Sequence, residues 1–259
     1  MRLCPLCSGS SGNATYIEAG GTRLLVDAGL SARRLTALLA EIGVSPAQLS
    51  AVLLTHEHGD HTRGVSVLCR KFNLPVYAAF DCFMAMGEKL KGIPSENRFV
   101  FAPDHEFVVG GVTVFPFSTH HDAAHPVGFT FAWQGRKCAI CTDNGHMDER
   151  ILTALERCKL LLLESNHDVD MLMAGDYDYA LKQRILGATG HLCNEDCGRA
   201  LVRLHGSGVK SAILGHLSHE NNYPPLALAT VRGLLNEAGV EMELMLAERD
   251  GLTGIFEIA

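Results

Sequence analysis

The chain has 259 residues, 47% of them hydrophobic, with a formal net charge of −7 and thirteen histidines. That length can bury one large core, so a single domain spanning 1–259 is expected. The negative balance argues against a partner that grips polyanions through a broadly basic surface, though it leaves room for a local basic groove. No run is long and apolar enough to cross a bilayer, and "MRLCPLCSGSSGN" has no apolar stretch of the export-signal kind. A cytoplasmic location and no membrane partner are expected.

In chain order, "ATYIEAGGTRLLVDAG" reads as two strands, 14–18 and 22–27, joined at Gly20-Gly21 as a hairpin. "SARRLTALLAEIG" spaces Leu35, Leu38, Leu39 and Ile42 as a helix, with Ser31 as N-cap and Gly43 as stop. A strand at 51–55 follows, then a helix over 65–72, strand "PVYAA" and helix "DCFMAMGEKLKG". The middle supplies strands "RFVFA", "GVTVFPF", "VGFTFAW" and "KCAICTD". Helix 147–156, strand "KLLLLES", helical segments over 169–186 and helix 195–204 come next. Strand "KSAILGH", helix "PLALATVRGLLNEAG" and closing strands near 241–247 and 254–258 complete the pattern. No linker or repeat interrupts it, so two mixed β/α halves around one core are expected.

The nine cysteines are an odd number without a disulfide-framework spacing, so free thiols are expected. Cys4/Cys7 and Cys138/Cys141 form two C-x-x-C pairs, as a zinc ribbon would. However, "KCAICTD" reads as a strand, where positions three apart face opposite sides, and packing cysteines are the better reading.

The segment "THEHGDH", Thr55 to His61, carries the chemistry. His56 and His58 are two apart in extended chain, so both rings can face one ion. Gly59 lets the backbone turn and aim Asp60 and His61 elsewhere, which suggests a second ion. Further imidazoles and carboxylates stand where apolar strands stop: His120 and His121 in "STHHD", Asp143 in "CTDN" and His216 in "LGHLSH". In layered α/β folds, strand ends are where sites assemble.

"THEHGDH" resembles the T-H-x-H-x-D-H signature of the metallo-β-lactamase superfamily, with Asp27, His121, Asp143 and His216 following the superfamily's order. The segments "SGSSGNATYIE", "LLVDAGLS", "HDAAHPVGFTF", "ESNHDVDML", "RILGATGHLCNED" and "GHLSHENN" are similar to its YycJ (WalJ) branch. The resemblance implies an α/β fold, the αβ/βα sandwich of two mixed β-sheets between helical layers. It also implies a dinuclear metal-dependent phosphodiesterase, a 5′ to 3′ exodeoxyribonuclease, with DNA ends as partner. His56, His58 and His121 would hold one ion, Asp60, His61 and His216 the other, and Asp143 would bridge. His121 is preferred to His120 because it begins the H-D-A segment. Asp27 would orient a ligand, the competing reading being a turn residue or helix cap. The mixed N/O donor set suits two divalent ions, zinc or manganese first and iron as an alternative. Such ions acidify a water and clamp a phosphoryl oxygen.

A leaving oxygen needs a proton. Glu164, ending "LLLLES", and His191, before a helix expected to be capped by Asn194, are loosely similar to an acid pair in the superfamily's tRNA-processing nucleases. With Asp60 they complete the catalytic candidates; a salt-bridged carboxylate and a loop histidine are the plain readings. His167 would support Glu164 or substrate, and His219, Glu220 and Asn221 would line the cleft. Lys182 and Arg184 are candidate phosphate contacts, with Tyr177 and Tyr179 able to stack on bases; a solvated helix face is the alternative. The competing functions are a small-molecule hydrolase of the same fold, acting on a thioester, lactone or cyclic nucleotide, and a non-catalytic regulatory partner.

Overall fold

The computed structural model describes residues 1–259. Its first half runs β1 (Arg2–Cys7), β2 (Ala14–Ala19), β3 (Thr22–Val26), α1 (Ala32–Glu41), β4 (Ala51–Leu53), α2 (Gly59–Thr62), α3 (Val65–Phe72), β5 (Val76–Ala79), α4 (Phe80–Met86) and β6 (Arg98–Phe101). The second half runs β7 (Phe107–Val109), β8 (Val112–Ser118), β9 (Val127–Trp133), β10 (Arg136–Cys141), α5 (Glu149–Leu155), β11 (Leu160–Glu164), α6 (Val169–Ala174), α7 (Tyr179–Leu186), α8 (Asn194–Gly206), β12 (Ser211–Gly215), α9 (Pro224–Glu237), β13 (Glu243–Leu246) and β14 (Phe256–Glu257).

Two seven-stranded sheets result, ordered β14-β1-β2-β3-β4-β5-β6 and β13-β12-β11-β10-β9-β8-β7. Each begins antiparallel, where short turns suffice, and becomes parallel, where helices make the crossovers. The β2–β3 turn uses Gly20 (φ 57°) and Gly21 (φ 84°), the two positive φ values that a tight hairpin needs. In "LLLL" of β11, Leu160 and Leu162 join the core between the sheets, whereas Leu161 and Leu163 join the core under α5, α8 and α9. A continuous apolar run is what burial on both faces requires. Leu35, Leu38 and Leu39 of α1 and Val65 and Leu68 of α3 cover the first sheet. The expected αβ/βα sandwich is therefore observed.

Cys138 and Cys141 fall in different cores, on opposite faces of β10, and all nine cysteines are free and buried. No helix is long and apolar enough to cross a membrane. Two points differ from expectation, strand β1 and the cap of α8. The strand β1 was not anticipated; it tolerates Pro5 because β14 pairs only with Arg2 and Leu3 and the register on β2 shifts after Pro5. The helical segments expected over 169–186 are two helices, α6 capped at its end by Gly175 and α7 starting where Asp178 accepts from Leu181 N. Cys193, not Asn194, caps α8, because the Asn194 side chain turns inward to Ser165 and Asn222.

Strand direction determines which loops meet. Two antiparallel steps return the chain to its original direction, so β1, β3 and β4 end on one edge of their sheet, as do β8, β10, β11 and β12 of theirs. The two edges are joined by a bridge between Gly9 and Leu217 and by His216 N donating to Ser8 Oγ at 2.9 Å.

Candidate metal centre

Asp27 follows β3, His56 and His58 follow β4, His121 follows β8, Asp143 follows β10, Glu164 ends β11 and His216 follows β12. Asp27 (φ 60°), Asp143 (φ 56°) and His216 (φ 54°) adopt the left-handed region, which turns each side chain sharply off its strand. Asp and His are among the residues that tolerate it, at a cost of order 1 kcal/mol. Helix α2 turns Asp60 and His61 back toward β3, where Ala28 N donates to His61 O at 2.8 Å. The approach requires Gly29, since a Cβ there would lie 1.6 Å from Asp60 O.

Four imidazoles have Nδ1 committed to the surrounding protein. His61 Nδ1 donates to Asp27 Oδ2 at 2.8 Å, His216 Nδ1 to Glu164 Oε1 at 2.7 Å and His121 Nδ1 to Gly190 O at 3.1 Å. His56 Nδ1 donates to Thr55 Oγ1 at 3.0 Å, and that hydroxyl donates onward to Asp27 Oδ2 at 2.9 Å. With Nδ1–H spent outward, each Nε2 faces inward and is the atom left for a metal once it is free of a proton.

The inward atoms are starved of partners. His56 Nε2, His216 Nε2 and Asp143 Oδ2 are buried without a hydrogen bond. Asp143 Oδ1 lies 3.7 Å from His121 Nε2 and 3.6 Å from His216 Nε2, while its Oδ2 lies 3.2 Å from His61 Nε2. Asp60 Oδ2 stands 3.4 Å from His61 Nε2 and 3.9 Å from His216 Nε2. Two ligands each ~2.1 Å from a tetrahedral ion are ~3.4 Å apart, so these spacings suit donors around cations better than hydrogen bonds. The ligand atoms of His56, His58 and His121, and those of Asp60, His61 and His216, each lie within 4.8 Å of one another. His120 turns away to Asp148 Oδ2 at 2.9 Å and stacks on His146.

Proton affinities show the same demand for positive charge. Burial lowers His56 well below its usual range, helped by the charge of His61. Burial alone would also lower His61 and His216, but Asp27 and Asp143 raise the first well above its ordinary value, and Asp143, Asp60 and Glu164 raise the second to about 10. Burial opposes ionisation of Asp143, yet His216 and His61 hold its pKa well below the usual range. Protons on imidazoles balance carboxylates that cations could balance instead.

Glu164 is fully buried and bonds four donors: His216 Nδ1 at 2.7 Å and His191 Nδ1 at 2.9 Å on Oε1, Asn144 N at 3.0 Å and Leu192 N at 3.1 Å on Oε2. Burial opposes its ionisation, but the charge and hydrogen bonds of His191 and His216 keep its pKa at about 2. Its oxygens face His191 and His216 rather than open space. The His191 side chain is 20% exposed, with Nδ1 held by Glu164 and 3.7 Å from Asp143 Oδ1. Burial would lower the His191 pKa, and Glu164 and Asp143 raise it.

Four expectations read differently in the structure. His167 makes no bond to Glu164; its Nδ1 lies 3.4 Å from Asn166 Oδ1, and burial lowers its pKa to about 4. Lys182 Nζ donates to Met173 O at 2.8 Å and Gly175 O at 2.7 Å, so two of its three N–H groups tie down the end of α6. Asn221 is buried, its backbone N–H donating to Ser218 Oγ and its backbone carbonyl accepting from Asp168 N, and it lines no open surface. His219 and Glu220 pair with each other in solvent. Arg184 does reach the centre's edge, bonded to Asp122, whose Oδ1 is 3.4 Å from His121 Nε2. Sequence reasoning passed over Asn13, Thr55 and Asp122; Thr55 and Asp122 adjoin ligand positions, which was the signal available, and Asn13 had none beyond its segment.

The family described as "Beta-lactamase superfamily domain" matches residues 22–217. "Exodeoxyribonuclease WalJ" of Streptococcus pneumoniae is 39% identical over 259 residues, 98% of this chain and 96% of the relative. "Exodeoxyribonuclease YycJ" of Bacillus anthracis is 39% identical over 239 residues, 92% and 90% of the two chains. The chain belongs to the metallo-β-lactamase superfamily, in its WalJ/YycJ branch. Among solved structures, the metallo-β-lactamase fold protein YhfI of Bacillus subtilis superposes with TM-score 0.74 at 20% identity, covering 99% of this chain and all of the other. The short form of human tRNase Z gives 0.69 at 15% identity, with full coverage of both. At such identities these two likenesses concern the fold alone.

Proposed function

We propose that this chain is a metal-dependent phosphodiesterase that degrades DNA from its ends, in the 5′ to 3′ direction, with two divalent ions, zinc or manganese in preference to iron. The observation that carries the reading is the convergence of unpartnered Nε2 and carboxylate atoms at the joined sheet edges. It is supported by the full-length likeness to two proteins named exodeoxyribonucleases. His56, His58 and His121 would hold one ion and Asp60, His61 and His216 the other. Asp143, within 3.7 Å of imidazoles from both sets, would serve both. When bound, such ions supply a water of lowered pKa and positive charge against the phosphoryl oxygens.

The protein's own part is orientation and proton delivery. Asp27 and Thr55 fix the rings of His61 and His56. Glu164 fixes His216 and His191 together, so the carboxylate orients and charges the donor while His191 Nε2 faces the leaving oxygen. The core shared by both sheets supports one domain over residues 1–259.

The test is reconstitution. Metal-stripped protein is reloaded with zinc, manganese or iron, and hydrolysis of a DNA oligonucleotide is followed beside a lactone and a thioester. Nucleotide release that tracks loading supports the reading; turnover of the lactone or thioester alone would replace it with a small-molecule hydrolase.

A further inference from the structure

The loop between β1 and β2, "SGSSGN" from Ser8 to Asn13, enters the assignments above only through its contacts at either end. Asn13 Nδ2 lies 3.0 Å from His61 Nε2 and 3.4 Å from Asp60 Oδ2, so the loop abuts the candidate centre. Its backbone is tied at both ends: Gly9 N donates to Asn13 Oδ1 at 3.0 Å, Gly12 N to Gly9 O at 3.0 Å and Asn13 N to Asp60 O at 2.8 Å. Ser10 and Ser11, in the middle of the Gly9–Gly12 turn, are exposed, and neither amide has an acceptor within the chain. Adjacent free amides in a turn are donors suited to an anion.

Two arginines touch this turn and a third is linked to it through Asp250. Arg63, two residues after His61, donates Nη1 to Ser11 O at 3.2 Å. Arg34 donates Nη2 to Asp250 O at 2.8 Å. Arg249 donates Nη2 to Ser218 O at 3.2 Å, just past His216, and its stem lies against Gly9, where an added Cβ would be 3.2 Å from Cγ. Asp250 is the carboxylate bonded to the loop, through Ser11 Oγ at 3.4 Å, and Glu41 stands 4.0 Å from Arg34. Three guanidiniums and two carboxylates therefore stand on or next to this turn. Each guanidinium keeps N–H groups beyond those bonds, in the planar fork that suits phosphate.

We propose that the Ser10-Ser11 turn with Arg34, Arg63 and Arg249 is a phosphate subsite, holding the backbone phosphate adjacent to the one hydrolysed. The proposal rests on the nuclease reading and deepens it. Ser11 is two residues from Asn13, at most ~7 Å of chain, so the turn lies close to the centre that Asn13 abuts. The substrate class that follows is a strand carrying at least two phosphates, not an isolated diester.

The test uses metal-loaded protein and a single-stranded DNA oligonucleotide over a range of salt concentrations. The double variant Arg34→Gln/Arg63→Gln should raise KM at least about tenfold, with kcat within about twofold and metal content unchanged. The slope of log KM against log salt should flatten by roughly 0.7, the share of the one single-strand phosphate contact that is lost. Arg34→Gln/Arg63→Lys, which returns a charge at residue 63, should recover part of the slope. The double variant Arg136→Gln/Arg157→Gln, which makes the same charge change at the start of β10 and ahead of β11 and hence at the far edge of the sheet, should behave as wild type. An unchanged KM and slope in Arg34→Gln/Arg63→Gln, an equal effect from Arg136→Gln/Arg157→Gln, or loss of metal would each overturn the subsite while leaving the nuclease reading intact. A wild-type protein that cleaves no oligonucleotide with any metal would overturn both.

Discussion

Replacing Glu164 with Gln tests whether one buried carboxylate organises both the centre and the proton donor. Its four bonds run from His216 Nδ1, His191 Nδ1, Asn144 N and Leu192 N, at 2.7, 2.9, 3.0 and 3.1 Å. Glutamine keeps the shape but turns one acceptor oxygen into an NH₂ donor. Whichever way the amide faces, two buried donors meet a donor, and each such mismatch costs about 1–3 kcal/mol. Removing a buried charge offsets part of this. A net loss of about 2–4 kcal/mol corresponds to a fall in Tm of about 5–15 °C for a chain of this size. His216 also loses the bond that fixes its tautomer, so metal affinity should fall about 10–100-fold. Calorimetry on metal-free protein, competitive metal titration and single-turnover cleavage at saturating metal measure the three effects. A Tm and a metal affinity both equal to wild type would refute the reasoning, because the four-donor arrangement could not then be present.

Elemental analysis of undepleted protein should approach two divalent ions per chain, and His58→Ala or Asp143→Ala should remove metal together with hydrolysis; a firm value of one at full activity would contradict the paired assignment. His191→Ala should keep its metal while turnover falls roughly 10²–10⁴-fold, and recover much of that rate on a substrate whose activated leaving group scarcely needs a proton; equal losses on both substrates would assign His191 to binding or structure. Metal loading should release protons at pH 7, because carboxylates raise His61 and His216, the latter to about 10, against the effect of burial. Both Nε2 atoms must be bare to bind, so affinity should rise with pH across neutrality. Titration calorimetry in buffers of different ionisation heat checks this, and identical heats would contradict it.

Much of the architecture was open to reading because its signals are local. Alternation, glycine turns and helical spacing located the β2–β3 hairpin, α1, α3 and most strands. β1 escaped because Pro5 and two cysteines obscure its pattern, and only the short β14 and a register shift make room for them. The ligand segment was visible for a different reason: five titratable residues in seven positions have no structural explanation as strong as a metal. What joins those ligands is not local. The pairing of Glu164 with both His191 and His216, and of Thr55 with Asp27, depends on which strands share a direction, and that is a property of the sheets. Lys182 shows the converse, a helix-face cation whose role as a cap for α6 appears only once Met173 and Gly175 are placed beside it.

The most direct measurement is cleavage of a duplex oligonucleotide labelled separately at its 5′ and 3′ ends, with metal-stripped and metal-loaded protein compared. The account predicts release of the 5′ label first, followed by stepwise shortening toward the 3′ end, only in the loaded protein. Intact oligonucleotide with every metal, or equal cleavage by fully stripped protein, would contradict it.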